Sequence, residues 1–290
     1  MLVILGAIWG ASYLFIKIGV RDLSPAMVAW LRVALAALVL LPLAASRGGL
    51  RLPPGSVLAL LALATIQVSV PFVLIAAGEE EISSSLAGIL VASAPLFTAL
   101  LAIRLDQEER SEGVRLWGVL AGFAGVSLLL GVDLGGSGAE LLGGLAIVVA
   151  SLGYAIGGFI VKSRFSAVHP TGVAAWVMVA STALLAPFGL LTLPAEAPGL
   201  GPVAAVIALG VVGTGVAFAI FFSLMATVGP ARTLIVTYLA PAFAVAYGAL
   251  LLDEAVSLAT IGGLALIVGG SYLAAQGGSD AVAVVPEAPT

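Results

Sequence analysis

"LIVTYLAPAFAVAYGALLLDE" runs from Leu234 to Glu254. A proline interrupts an apolar run, and an acidic pair closes it. An interior proline removes one helical hydrogen bond and costs about 3 kcal/mol in an ordinary helix. The stretch 146 positions earlier, "GILVASAPLFTALLAIRLDQE" (Gly88–Glu108), carries Ile, Ala-Pro, Phe, Leu and a final Glu in the same register. A costly pattern written twice points to a duplicated unit.

The composition fixes the solvent of that unit. Of 290 residues, 61% are hydrophobic and 9% charged, where soluble domains carry about 25% charge. Mean hydropathy is +1.23. So few charges cannot cover a water-facing surface, and the chain reads as an integral membrane protein. Cysteine is absent, which excludes disulfides, thiolate metal sites and Cys nucleophiles. The net charge of −4, with no basic run, gives no sign of a nucleic-acid partner. Leu2 opens an apolar stretch without a positive n-region, so the start reads as a first membrane helix rather than a signal peptide, with its cytoplasmic end trimmed.

Ten apolar stretches have spanning length: 2–20, 25–45, 56–77, 83–103, 114–132, 140–161, 170–192, 202–226, 229–251 and 257–275. Separators such as "SRGGLRLPPG", "GEEE", "DQEERSEG" and "PAEAPGLGP" carry Pro, Gly and charge. The tail, residues 276–290, lacks hydrophobic periodicity and is expected to be disordered. Basic residues set the orientation. With the N-terminus inside, cytoplasmic loops hold Arg47, Arg51, Arg104, Arg110, Arg115, Lys162, Arg164 and Arg232, against Lys17 and Arg21 opposite. Both termini are therefore expected in the cytoplasm.

Pro95 and Pro241 fall five expected helices apart. "WGASYLFIK" before "DLSP" aligns with "YAIGGFIVK" before "AVHP", and "WGVLAGFAGVS" resembles "IGGLALIVGGS". An odd offset inverts the second copy in the membrane. The expected organisation is two inverted five-helix repeats, 1–132 and 140–275. Such repeats characterise secondary transporters, which bind substrate near the midplane between the halves.

The "WG" of the first helix, Arg32 in the second, the two "AP" pairs, the "DE" ending and the closing glycine pattern resemble the drug/metabolite transporter superfamily, in particular its EamA branch. The resemblance implies export of a metabolite or drug across the cytoplasmic (inner) membrane by a multi-pass protein. It also implies that the first, third, fourth, sixth, eighth and ninth helices line the cavity. Carried onto this sequence, the substrate-binding candidates are Trp9, Ser12, Tyr13, Gln67, Ser93, Tyr154, Phe218, Phe222, Thr237 and Tyr238.

Arg32 lies about two turns into its helix, where a buried basic side chain costs about 2.5–3.5 kcal/mol. It either snorkels to the surface or contacts backbone carbonyls or an anionic substrate group. Pro95 and Pro241 each free a carbonyl, so they are candidate hinges, a packing kink being the alternative. His169 reads as a loop residue or helix cap. "GAIWG", "GYAIG", "GVLAG" and "GVVGTGVAF" read as close helix packing rather than phosphate loops. No cofactor or metal is expected. The partners are a small-molecule substrate and the bilayer; oligomeric state is open, and a monomer is compatible.

The expected function is a secondary transporter exporting a small amphipathic metabolite, an amino acid or drug-like compound, by alternating access. A membrane-embedded enzyme or lipid-handling protein is the alternative. Enzymatic chemistry needs an activated nucleophile or metal ligands, and the spans hold no evident acid–base pair. All fifteen acids fall in loops, tail or helix ends, with Glu79, Glu140 or Glu254 reaching the cavity mouth only if a helix end is displaced by one turn. With no embedded acid to carry a proton, facilitated diffusion or exchange is expected.

Overall fold

Lipid offers backbone groups no hydrogen-bond partners, so each spanning segment must satisfy its own, and the apolar stretches fold as helices. The computed structural model describes residues 1–105, 114–133 and 137–275. The "DQEERSEG" separator and the tail lie outside these. Among the described residues, nine helices are long and apolar enough to span a membrane: α1 (Leu2–Gly19), α2 (Pro25–Ser46), α3 (Val57–Glu81), α4 (Ser84–Ala102), α5 (Val114–Gly131), α6 (Gly138–Arg164), α7 (Pro170–Leu191), α8 (Leu200–Val228) and, last in the chain, α10 (Leu258–Ala275). The shorter apolar helix α9 (Val236–Leu251) precedes α10.

Local chemistry sets the ends. Ser24 caps α2 by accepting from Met27 N at 3.1 Å, with Pro25 in the first turn, where its missing N–H costs nothing. Ser83 does the same for α4 through Leu86 N at 3.2 Å. Ser137 caps α6 through Glu140 N at 3.1 Å, and Lys162 and Arg164 in the last turn complement the helix dipole. His169 occupies the residue before α7 without capping it through its side chain. The expected end of α3 was Ala77, but the helix continues to Glu81, carrying Glu79 with it.

Glycines bring the helices together, as their spacing predicts. A Cβ on Gly10 would meet the Ala240 carbonyl of α9 at 2.8 Å, and one on Gly153 the Ile66 carbonyl of α3 at 2.5 Å. Gly118 and Gly270 pack α5 on α10 at the same closeness. The principal pairings are α1 with α9, α2 with α7, α3 with α6, and α5 with α10; α8 rests on α1 and α2. One apolar core joins α1–α6 with α8 and α10, and a second joins α2, α3, α6 and α7. Leu58, Trp117, Leu200 and Leu258 are largely exposed, which suits a lipid-facing surface.

Two helices leave α geometry in their middles. Ala64–Ser69 of α3 and Val211–Val216 of α8 are π-helical. Such bulges release main-chain groups and are frequent at functional sites. α4 breaks instead at a turn over Ala92 and Ser93, just before Pro95. α9 runs unbroken through Pro241, and its interruption lies earlier, at Leu234 and Ile235.

Candidate functional site

Arg32 does not snorkel. Its Nε donates to Thr214 Oγ1 at 2.9 Å, inside the α8 bulge, and its guanidinium carbon lies 3.7 Å from the centroid of the Phe72 ring on α3. Thr214 Oγ1 in turn donates to the Leu209 carbonyl five residues back, at 3.0 Å, satisfying a group near the bulge. The arginine therefore ties α2 to α3 and α8 through a hydrogen bond and a cation–π contact. Tyr13, Tyr154 and Glu79 are close enough to feel its charge. The side chain stays partly exposed.

An aromatic group adjoins from α1 and α8. Trp9 packs edge-on to Phe218 at 6.3 Å and tilted on Phe221 at 5.3 Å, while Phe218 stacks on Phe222 at 5.8 Å. Ser12, one turn along, is buried against Gly213 of the α8 bulge and donates to the Ile8 carbonyl at 3.2 Å. Tyr13 lies against Gly88 of α4, and Tyr154 packs against both cores. Gln67 sits in the α3 bulge against Gly157 of α6.

The remaining candidates make their hydrogen bonds elsewhere. The Tyr238 hydroxyl donates to the Ser271 carbonyl of α10 at 3.3 Å, and its ring meets exposed Tyr272 edge-on. Thr237 bonds back to Leu234 O at 2.7 Å. Ser93, fully buried, donates to Leu90 O at 2.7 Å. The carbonyls freed near Pro95 meet hydroxyls from other helices. Ser151 of α6 donates to Leu90 O at 3.3 Å and Val91 O at 3.4 Å, and Ser271 of α10 to Ala92 O at 2.9 Å.

One end of the bundle gathers acids that sequence reading left in loops. There Asp22 Oδ2 accepts from Gly199 N at 2.8 Å. Glu254 accepts four hydrogen bonds at the start of α4: Ser84 N and Oγ reach one carboxylate oxygen at 2.7 and 2.9 Å, and Ser85 N and Oγ the other at 3.0 and 2.5 Å. Asp253, with φ +54°, turns the chain back so that Glu254 reaches α4. Four donors at a helix N-terminus suit a carboxylate. Glu79, five residues before Ser84 at the same end, is fully buried, and neither of its carboxyl oxygens has a hydrogen-bond partner. The expectation that no acid is embedded fails here.

The family model of EamA-like transporters matches residues 1–131 and again 141–276. The chain belongs to the EamA-like transporter family. The EamA-like chain is 30% identical over 262 residues to an "Uncharacterized inner membrane transporter YedA" of Escherichia coli K12, covering 86% of this chain and 81% of that one. It is 26% identical over 279 residues to a "Probable amino-acid metabolite efflux pump" of the same strain, covering 92% and 90%. A crystal structure of a protein 23% identical superposes with a TM-score of 0.67 over 94% of this chain and 95% of that one, so this EamA-like transporter shares its fold.

Phe72 and the Glu254 latch escaped sequence reading. Phe72 carries no signal beyond its place after Pro71. The latch does leave one: "SSS" after "EEEI" reads as a helix N-terminus in want of a carboxylate.

Proposed function

We propose that this protein is an alternating-access secondary transporter of the inner membrane that exports a small amphipathic metabolite, of the amino-acid class. Its two halves, 1–132 and 140–275, are read as inverted five-helix repeats, with ten spans and both termini in the cytoplasm. Several observations support the repeat. The family model matches twice. The π segments of α3 and α8 begin 147 residues apart, close to the spacing of the Ala-Pro pairs. The pairings exchange as an inverted repeat requires: α1 with α9 against α6 with α4, and α1 with α8 against α6 with α3. In this orientation the acidic end faces outward, and Pro95 and Pro241 serve as hinges.

The observation that carries the substrate class is Arg32 held between α2, α3 and α8. A guanidinium with partial exposure recognises a carboxylate. Trp9, Phe218 and Phe222 offer flat apolar surfaces to the rest of the molecule, with Tyr13, Tyr154, Ser12 and Gln67 between. Ser93, Thr237 and Tyr238, bonded elsewhere, belong to the moving helices rather than to the pocket. The efflux-pump relative supports the same class. Facilitated diffusion or exchange, the mode expected of an interior free of acids, loses its premise at Glu79.

Counterflow in liposomes tests the reading. Purified protein preloaded with one unlabelled amino acid is expected to accumulate the labelled form transiently, with aromatic and branched side chains preferred. Arg32→Gln is expected to abolish this while Arg32→Lys keeps part of it. Equal counterflow for the parent and Arg32→Gln would refute the assignment.

A further inference from the structure

Glu79 is buried without compensation. It lies near the end of α3 with 0% exposure, and both carboxyl oxygens lack a hydrogen-bond partner. A counter-ion is near but occupied: the Lys17 ammonium of α1 donates to the main-chain carbonyls of Glu79 and Ile82, at 2.5 and 2.9 Å. Those carbonyls end α3, where helical partners run out. The other groups that face Glu79 electrostatically are Arg32 from α2, Glu254 from the segment after α9, and the Tyr13 phenol from α1. Arg32 is committed to Thr214 and Phe72, and Glu254 is saturated by Ser84 and Ser85.

An ionised carboxylate with no donor on either oxygen is far more costly to bury than the neutral acid. Opening the acidic end would return water to Glu79 and remove that difference. The carboxyl thus sits where its proton occupancy and the closure of the latch depend on each other. We propose that Glu79 is a proton-binding site that couples export to the proton gradient. With the acidic end open, a proton from external water adds to a Glu79 carboxylate oxygen. It stays there as Glu254 re-engages α4. When the opposite end opens, it leaves to water on that side. One substrate moves outward as one proton moves inward. The coupling rests on the transporter reading; proton binding by Glu79 does not.

Two measurements on the full chain in lipid separate these. Infrared difference spectra across mildly acidic to mildly alkaline pH are expected to show the C=O stretch of a protonated carboxylic acid, lost in Glu79→Gln and kept in Glu80→Gln, whose acid is exposed. If Glu79→Gln does not fold, Glu79→Asp is expected to shift the band. A band unchanged in whichever of these folds, or absent from the parent, overturns the proposal. In liposomes, an imposed pH gradient is expected to drive uphill movement of an amino acid active in counterflow, a response lost in Glu79→Gln. Counterflow without any response to the gradient overturns the coupling. Absence of counterflow with every amino acid refutes the transporter reading, while the infrared result still decides proton binding.

Discussion

On the proposed alternating-access mechanism, the Glu254 latch should give the acidic end a measurable closing energy. Glu254→Gln puts an NH2 group where one oxygen stood, so one backbone N–H of Ser84 or Ser85 loses its acceptor, and the remaining hydrogen bonds lose their charge. Hydrogen bonds to a charged group contribute about 1.5–3 kcal/mol each. Glu254 is partly exposed, which argues for the lower bound and a loss of about 3 kcal/mol. At 1.4 kcal/mol per tenfold, the open fraction should rise about 100-fold. The chain has no cysteine, so a single reporter can be placed. Ile82 is 3% exposed beside the latch, and Ile82→Cys should react with a membrane-impermeant maleimide only when this end opens. Where opening and closing are fast, the labelling rate follows the open fraction. The double variant Ile82→Cys, Glu254→Gln is expected to label about 100-fold faster than Ile82→Cys alone. A change under about threefold, less than 1 kcal/mol, would show that Glu254 does not hold this end shut.

A Cβ on Gly248 would collide with Glu254 Oε2 and Ser85 Oγ, so Gly248→Ala should accelerate the same labelling, and an unchanged rate would place the latch geometry in error. Thr214→Val removes the acceptor of Arg32 Nε and the donor to Leu209 O; a loss of about 1–3 kcal/mol should lower the melting temperature in detergent by intrinsic fluorescence, and Thr214→Ser should restore it. An undiminished melting temperature in Thr214→Val would argue against the junction. Topology is checked by Gln107→Cys and Glu80→Cys, which should label from opposite sides of the membrane; labelling of Gln107→Cys in intact cells by an impermeant reagent would reverse the orientation.

Nine of the ten expected stretches were legible as helices of spanning length, because desolvation of the backbone is a property of the segment itself, whereas the stretch expected at 229–251 forms the shorter helix Val236–Leu251. The end of α3 was not legible. Hydropathy stops a span at its first acids, and "GEEE" stopped this one at Ala77, yet one more helical turn puts Glu79 inside and leaves Glu80 and Glu81 exposed. Whether an acid at a helix end faces water depends on what packs around it, here Lys17 of α1, a residue distant in sequence. Arg32 raises the same difficulty: its depth was readable, but its direction is set by Thr214 and Phe72, from two other helices. The two Ala-Pro pairs were matched in sequence, and the structure treats them differently. Near Pro95 the helix breaks, and the hydroxyls of Ser151 and Ser271 take the released carbonyls. Pro241 sits in a continuous helix that packs against Gly10 of α1. Equal motifs in unequal surroundings are what an alternating mechanism needs in any one state, since the conformation that breaks one half must spare the other. On that reading, opening the acidic end should straighten α4 at Ala92–Ser93 and interrupt α9 nearer Pro241.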